Sequence, residues 1–482
     1  MTKNKTNTLC ENTADINNQK KYADRVRALL LEKEARLGRK MSVYVQTFGC
    51  QQNEADSERI LGSAISLGYV QSEKLEDADL IIYNTCAVRE HAELKALSKT
   101  GQLKHIKSKN PELLVGLWGC MVNQEHRVDD IKNKYPYVDF VAGTNMLHRL
   151  PEILCDVMEN HRRRYYVDDG DYSIVEGVPV KRESDIKGWL SIMYGCDNFC
   201  TYCVVPHVRG RERSRRPEDV LSEAKELIDG GCRDITLLGQ NVNSYGKGLD
   251  CGIGFADLLE SIAKMDGDFW LRFMTSHPKD VSDELIRVIK ENEKVARHFH
   301  LPVQSGSNGI LRRMNRKYTR EDYLGVVEKL RRAVPDITLT TDIIVGFPGE
   351  TEEDFEQTLD IVRIVGFDSI YSFIYSPRHG TPAASMEDKV TYEEKTERFA
   401  RLMELHHEKI VEINNGYVGK TIKVLCETPA NESDRGEYGG RCTGNKLIKF
   451  TAEPGTDLYG KFVDVEITRA GDVQLYGELR KQ

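Results

Sequence analysis

From residue 41 onward, short apolar and β-branched runs alternate with longer amphipathic stretches. MSVYVQTFGC (41–50), DLIIYNTC (79–86), LLVGLWGC (113–120) and VDFVAG (138–143) are predicted strands. ADSERILGSAISLGY and VREHAELKALSKTGQLKHI are predicted helices between them. Alternation of strand and helix predicts a parallel, doubly wound α/β sheet. Residues 156–185 are polar, charged and poorly periodic, and are predicted to form a linker. A second series then begins with GWLSIMY, DITLLG, FWLRFMTS, ARHFHLPV, ITLTTDIIVGF and DSIYSFIYS, separated by helical stretches such as PEDVLSEAKELIDGG. Six β/α units in about 190 residues predict a partial (β/α)6 barrel. YEEKTERFARLMELHHEKIVEIN is a predicted closing helix. After Gly416 the runs KTIKVLCE, KLIKFTAE and KFVDVEITRA lie between glycines and predict a small all-β barrel. The expected divisions are 1–40 (a disordered lead and a charged helix), 41–155 (the first α/β domain), 156–185 (linker), 186–412 (barrel) and 416–482 (β-barrel).

Composition narrows the function. The chain of 482 residues is too long for one core. It has no run of about eighteen apolar residues, and the polar start, MTKNKTNTLCENTADINNQKK, lacks the apolar segment of a signal peptide. A cytoplasmic protein without a membrane partner is expected. Twelve cysteines are too few for a disulfide scaffold in so long a chain, which leaves metal ligation or catalysis for those that cluster. A net charge of −8 argues against a protein coated in nucleic acid, but RGRERSRR (209–216), HRRR (161–164) and RRMNRK (312–317) are local basic islands.

Cys196, Cys200 and Cys203 follow the first predicted barrel strand, where the C-terminal ends of barrel strands carry chemistry. Thiolates are soft ligands and favour iron–sulfur clusters, zinc or Cu(I). A structural zinc needs a fourth ligand, for which His207 is the local candidate. A cubane cluster held by three thiolates keeps one iron open to another ligand. Cys50, Cys86 and Cys120 have 35 and 33 residues between neighbours, a spacing that is uninformative by itself. Each ends a predicted parallel strand, however, and such ends share one ligand-binding edge. The competing reading is three separate buried cysteines. Cys10, Cys155, Cys232, Cys251, Cys426 and Cys442 show no comparable arrangement and are expected to be structural or incidental.

The C-x-x-x-C-x-x-C loop, with Tyr202 before its last cysteine, resembles the radical S-adenosylmethionine superfamily. TFGCQQNEADSERI (47–60), YNTCAVREHAELK (83–95), LWGCMVNQE (117–125) and GCDNFCTYCVVPHVRGRERSR (195–215) are together similar to its methylthiotransferases, over about residues 41–480. RGRERSR, LLGQNVNSY and GGRCTGNKLIKF further resemble the branch that acts on dimethylallyladenosine beside the anticodon of tRNA. The sequence departs from the usual pattern at Gln52 and Cys442, neither of them a proposed ligand.

The resemblance implies two 4Fe–4S clusters, one held by Cys50, Cys86 and Cys120 and the other by Cys196, Cys200 and Cys203, the catalytic triad. It implies S-adenosylmethionine as cofactor, methylthiolation of adenine carbon 2 as reaction, and a C-terminal TRAM domain for RNA. Candidate S-adenosylmethionine contacts are Tyr202, Gln240, Asn241, Gln304 and Asp342. Candidate tRNA contacts are Arg209, Arg211, Arg213 and Arg215, which share one side if the segment is extended, with Arg441, Lys446 and Phe450 of the last domain. Arg435 and Lys449 lie close by in sequence. GFPGET reads equally as a cofactor turn and as a helix start capped by Thr351. A monomer served by an electron donor such as flavodoxin or ferredoxin is expected, and the sulfur donor is left open. The alternatives are a methylthiotransferase for threonylcarbamoyl-adenosine or for a ribosomal-protein aspartate, and a cluster-bearing RNA-binding module without turnover.

Overall fold

A computed structural model describes residues 7–167, 170, 173–429, 432 and 435–480, with the side chains of the first helix from residue 18. The disordered lead expected over MTKNKTNTLCENTADINNQKK, before a charged helix near residues 21–39, is corrected: residues 1–6 lie outside the described residues, and from Asn7 the segment is already helical in α1 (Asn7–Leu37). The chain divides into two compact units. The first comprises Met1–Ser184, Tyr194–Cys196 and Val204–Glu212; the second comprises Asp185–Met193, Asp197–Cys203 and Arg213–Gln482. Among the described residues no helix is long and apolar enough to cross a membrane.

The first unit holds one parallel sheet. Its strands are β1 (Ser42–Phe48), β2 (Val70–Gln71), β3 (Leu80–Thr85), β4 (Leu114–Gly119), β5 (Phe140–Ala142) and β6 (Arg164–Tyr166), in the order β2-β1-β3-β4-β5-β6. β3 shows why so apolar a run belongs at the centre. Leu80 and Ile82 join one core cluster, Ile81 and Tyr83 the other, so helices cover both faces. β6 is a correction: residues 164–166, read as linker, pair with β5. Only three residues of it lie in the sheet, too few for any period to show. The strand order reverses direction between β1 and β3, the switch point at which open α/β sheets bind ligands.

The second unit contains the six expected barrel strands, all parallel: β7 (Lys187–Ser191), β8 (Asp234–Leu238), β9 (Trp270–Phe273), β10 (His298–His300), β11 (Thr338–Val345) and β12 (Ser369–Ile374). They form two sheets of three, bridged where Leu271 pairs with Val295. Phe299 packs into the apolar layer, so His298 and His300, on the opposite face, point into the barrel and share Thr340 Oγ1 at 3.0 Å each. The long helix Tyr392–Asn415 leads into a closed five-stranded barrel: β13 (Thr421–Cys426), β14 (Glu437–Cys442), β15 (Leu447–Thr451), β16 (Phe462–Ala470) and β17 (Gln474–Leu479). Arg272 ties the two barrels of this unit together. It pairs with Asp234 and donates to the carbonyls of Cys442 and Thr443.

Candidate metal centres

The first centre follows from the sheet. Cys86 N–H donates to the Phe48 carbonyl at 2.9 Å and Cys120 N–H to the Thr85 carbonyl at 2.8 Å, so each cysteine sits one step past its strand, beside its neighbour. Gly119 permits this. Its φ is +103°, and a Cβ there would stand 2.4 Å from Asn84 Oδ1 and 2.5 Å from the Thr85 carbonyl. A buried network fixes the floor below. Asn53 Nδ2 donates to Asn84 Oδ1, and Asn84 Nδ2 donates to the Asn53 carbonyl and to Ser57 Oγ. Asn53 also caps Cys50 at the start of helix α2 (Gln51–Ser66).

The three sulfurs feel one another. Hydrogen bonding from Cys86 brings the Cys50 thiol down to about 6, with help from Arg209 and the N–H groups of Asn53 and Gln52. Cys86 is pushed up by that same bond, then by burial and the charges of Cys120 and Cys50. Burial pushes Cys120 up, with Arg209 opposing. Cys50 is exposed to solvent, whereas Cys86 and Cys120 are buried. Arg209 Nε donates to Cys120 Sγ at 3.2 Å, while Asp56 Oδ2 accepts from its Nη2 at 2.8 Å. Burial opposes the charge on this guanidinium, but Asp56, Cys120 and Cys50 outweigh it and hold the proton firmly.

Three soft donors on one open edge, with a cation against one of them, form a donor set for an iron–sulfur cluster. Among the described residues no group of three or more His, Cys, Asp or Glu side chains is gathered to hold a single metal ion. The thiolates of a cubane bind separate irons, so they need not meet at one point. His207, the candidate fourth zinc ligand, is exposed on the short helix Val205–Arg209.

The second centre is the loop after β7. Cys196 and Cys200 are buried and Cys203 is half-buried. Cys203 N–H turns back to the Cys200 carbonyl at 3.0 Å. Within the second unit, residues 313–316 clamp the loop. Thr201 N–H donates to the Met314 carbonyl, Thr201 Oγ1 to the Arg313 carbonyl, and Asn315 Nδ2 to the Phe199 carbonyl. Phe199 itself has φ +46°, a strained backbone at a functional loop. Arg316 Nη1 donates to Cys200 Sγ at 3.3 Å.

The candidate cofactor contacts divide. Tyr202 packs against the small apolar cluster that contains Ile310, Met314, Phe347 and Tyr375. Asn241 is buried after β8: its Nδ2 donates to Asp280, and its Oδ1 has no partner among the described residues. Gln240 beside it is half-buried. Gln304 is buried after β10 with φ +71°, its N–H on the Asp342 carbonyl. Asp342 Oδ1 lies 3.6 Å from His300 Nε2. Thr351 caps its helix with Asp354, as the plain reading of GFPGET expects. The sequence reading missed Asp56, Asn53, Asn84 and Arg316. It also missed Ser276 after β9, whose buried Oγ has no partner among the described residues, and His277, brought to about 2 by burial, then by Arg316 and Lys279. No periodicity marks any of these; only HFHLPV hinted at polar groups inside a barrel.

The expected RNA strip is corrected. Arg209 and Arg215 are buried, the latter bound to the Ser191 carbonyl and Glu223. Arg211 is exposed and Arg213 half-buried, so the four do not share a solvent face. Phe450 is also withdrawn from RNA stacking, because it lies in the core of the small barrel, stacked on Tyr438. Lys446 is held by Asp368 and Asn414, whereas Arg441 is half-buried and Arg435 and Lys449 are exposed.

Residues 190–362 match the radical SAM superfamily and residues 42–143 the uncharacterized protein family UPF0004. The tRNA-2-methylthio-N(6)-dimethylallyladenosine synthase of Alkaliphilus oremlandii is 51% identical over 442 residues, covering 92% of this chain and 93% of the relative. The enzyme of the same name from Acetivibrio thermocellus is 47% identical, covering 96% and 95%. That of Clostridioides difficile is 46% identical, covering 96% and 97%. Among solved structures, a radical S-adenosylmethionine methyltransferase from Kitasatospora setae shares the fold, with a TM-score of 0.54, 14% identity and coverage of 81% and 79%.

Proposed function

The chain belongs to the tRNA-2-methylthio-N(6)-dimethylallyladenosine synthases, and from that premise we propose that it adds a methylthio group to carbon 2 of dimethylallyl-modified adenosine beside the anticodon of tRNA. It is a radical S-adenosylmethionine transferase. The observation that carries the two-cluster reading is the row of Cys50, Cys86 and Cys120 at the switch point of the sheet, a second thiol triad distinct from the Cys196–Cys203 loop.

S-adenosylmethionine and the clusters, when bound, supply one-electron cleavage, hydrogen abstraction and the methyl and sulfur groups of the product. A radical route suits the target, since a carbon–hydrogen bond on an aromatic ring has no acidity that a side chain near pH 7 could use. The protein's work is to bind, orient and keep water out. Cys196, Cys200 and Cys203 bind one cluster, and Tyr202 anchors their loop in the packed wall beside Met314. Asn241 Oδ1 and Ser276 Oγ, buried at neighbouring strand ends, receive polar groups of the cofactor. The anticodon loop must offer a splayed base, and exposed cations such as Lys449 and Arg435 meet its phosphates. An external one-electron donor of the flavodoxin or ferredoxin kind completes the requirement.

The test is nucleoside mass spectrometry of tRNA from a bacterial strain lacking its own enzyme and supplied with this chain. The 2-methylthio nucleoside is expected with the unaltered chain and absent with either cysteine triad replaced by alanine. Its absence with the unaltered chain, where dimethylallyladenosine is present and the chain is folded, would overturn the assignment.

A further inference from the structure

Arg316 lies in RRMNRK and Arg209 in RGRERSRR, basic islands whose ordinary fate is a solvated face. Both are buried, at 8% and 5% exposure. In the second unit each nitrogen of the Arg316 guanidinium donates one hydrogen bond. Nη1 donates to Cys200 Sγ at 3.3 Å, Nη2 to the Pro302 carbonyl at 2.9 Å and Nε to the Tyr318 hydroxyl at 2.9 Å. Among the described residues no carboxylate pairs with it. In the first unit Arg209 Nε donates to Cys120 Sγ, and Asp56 balances its charge.

A buried cation needs a counter-charge, and a neutral thiol supplies none. For Arg316 the counter-charge within hydrogen-bond reach is the Cys200 sulfur as a cluster ligand, 3.3 Å from Nη1. We propose that each triad carries its own buried guanidinium, Arg316 on Cys200 and Arg209 on Cys120, as a positioning residue that holds the sulfur and sets how readily the cluster there accepts an electron. The inference rests on the reading of the two triads as cluster sites. Reduction by one electron adds one negative charge, with no bond made or broken and no proton moved. A fixed cation at hydrogen-bond distance stabilises that added charge, so its loss disfavours reduction. Arg316 acts with an uncompensated charge. Arg209 acts together with Asp56, so removing either partner of that pair shifts the balance in opposite directions.

The experiment measures reduction potentials by anaerobic titration with electron paramagnetic resonance, in full-length chains that keep one triad. With Cys50, Cys86 and Cys120 replaced by alanine, Arg316→Gln is expected to disfavour reduction by about tenfold, which is about 59 mV for one electron, and Arg316→Lys to restore at least half of that. With Cys196, Cys200 and Cys203 replaced, Arg209→Gln is expected to lower the potential and Asp56→Asn to raise it. Each substitution should leave the other triad's potential unmoved. Chains that hold full iron with unmoved potentials would overturn the inference alone. So would shifts of the same sign in Arg209→Gln and Asp56→Asn, the mark of simple loosening. If Arg316→Gln loads no iron, Arg316→Lys decides: loading at an intermediate potential supports the charge role, and failure to load overturns it. Parent single-triad chains without iron would remove the cluster reading beneath, a distinct result.

Discussion

The N–H of Cys86 meets the carbonyl of Phe48 at 2.9 Å, two residues before Cys50, so both cysteines leave the sheet side by side at its switch point. A cluster on that edge is chemically separate from one on the Cys196–Cys203 loop. After anaerobic reconstitution the chain should therefore bind about eight irons, four for each cubane. Either triple alanine variant should keep about half. Full iron in the Cys50, Cys86 and Cys120 variant would remove the sheet-edge site.

The unequal thiols give a pH signature in the apoprotein. Cys50 is exposed and drawn down to about 6, while Cys86 and Cys120 are buried and pushed up. The thiolate is the reactive form, so alkylation of Cys50 should rise as pH climbs through about 6 and level off above it. Cys86→Ala removes the largest cause and should move that midpoint up toward about 8.5, the unperturbed value. Mass-resolved iodoacetamide kinetics from about pH 5 to 9 would read it. A Cys50 midpoint already near about 8.5 in the unaltered chain would contradict the close Cys50–Cys86 approach.

Gly119 is a tight steric point beneath the site. Alanine there combines φ +103° with a Cβ 2.4 Å from Asn84 Oδ1. Gly119→Ala should destabilise the first unit by about 2 kcal/mol. Urea unfolding followed through the buried Trp118, with Trp189 and Trp270 replaced by phenylalanine, isolates that unit. An unchanged midpoint would mean that the sheet edge relaxes freely.

Much of this arrangement is legible in the sequence, for identifiable reasons. The six barrel strands are short runs rich in β-branched residues, such as ITLTTDIIV, and their alternation with helical stretches marks a parallel β/α series. The strand-end cysteines become visible once the strands are placed. β14 is hidden because EYGGRC carries two glycines, and the first α/β domain extends past 155 because β6 is too short to show a period. The arginines fail differently. Nothing in RGRERSRR distinguishes buried Arg209 and Arg215 from exposed Arg211, because a buried arginine is defined by its distant partners, here Asp56, Cys120, Ser191 and Glu223. Phe450 stands beside Lys449 in sequence, yet it alternates with exposed Lys449 and Thr451 because it faces the inside of a closed barrel.

The tRNA interaction is best probed by point variants. Deleting residues 416–482 would strip Arg272 of the Cys442 and Thr443 carbonyls and uncover Trp270. Lys449→Glu and Arg435→Glu, both exposed, should each weaken tRNA binding and flatten the log–log salt slope by roughly 0.7 to 0.9 for every phosphate no longer neutralised. Phe450→Leu should alter stability and leave the slope unchanged. Filter binding across a salt series reads all three. Binding and slope unaffected by both charge reversals would move the RNA face off this barrel.

The most direct measurement uses a matched pair of anticodon stem-loops, with and without the dimethylallyl group, under one reducing system with S-adenosylmethionine. A prenyl group that buries three or four methylene-sized units, at about 0.8 kcal/mol each, gives about 2–3 kcal/mol. The expected result is 2-methylthio product on the prenylated loop with kcat/KM about 30- to 140-fold above the bare loop, since about 1.4 kcal/mol is tenfold. Equal kcat/KM on both, or product only on a threonylcarbamoyl-adenosine loop or a ribosomal-protein peptide, would contradict the account.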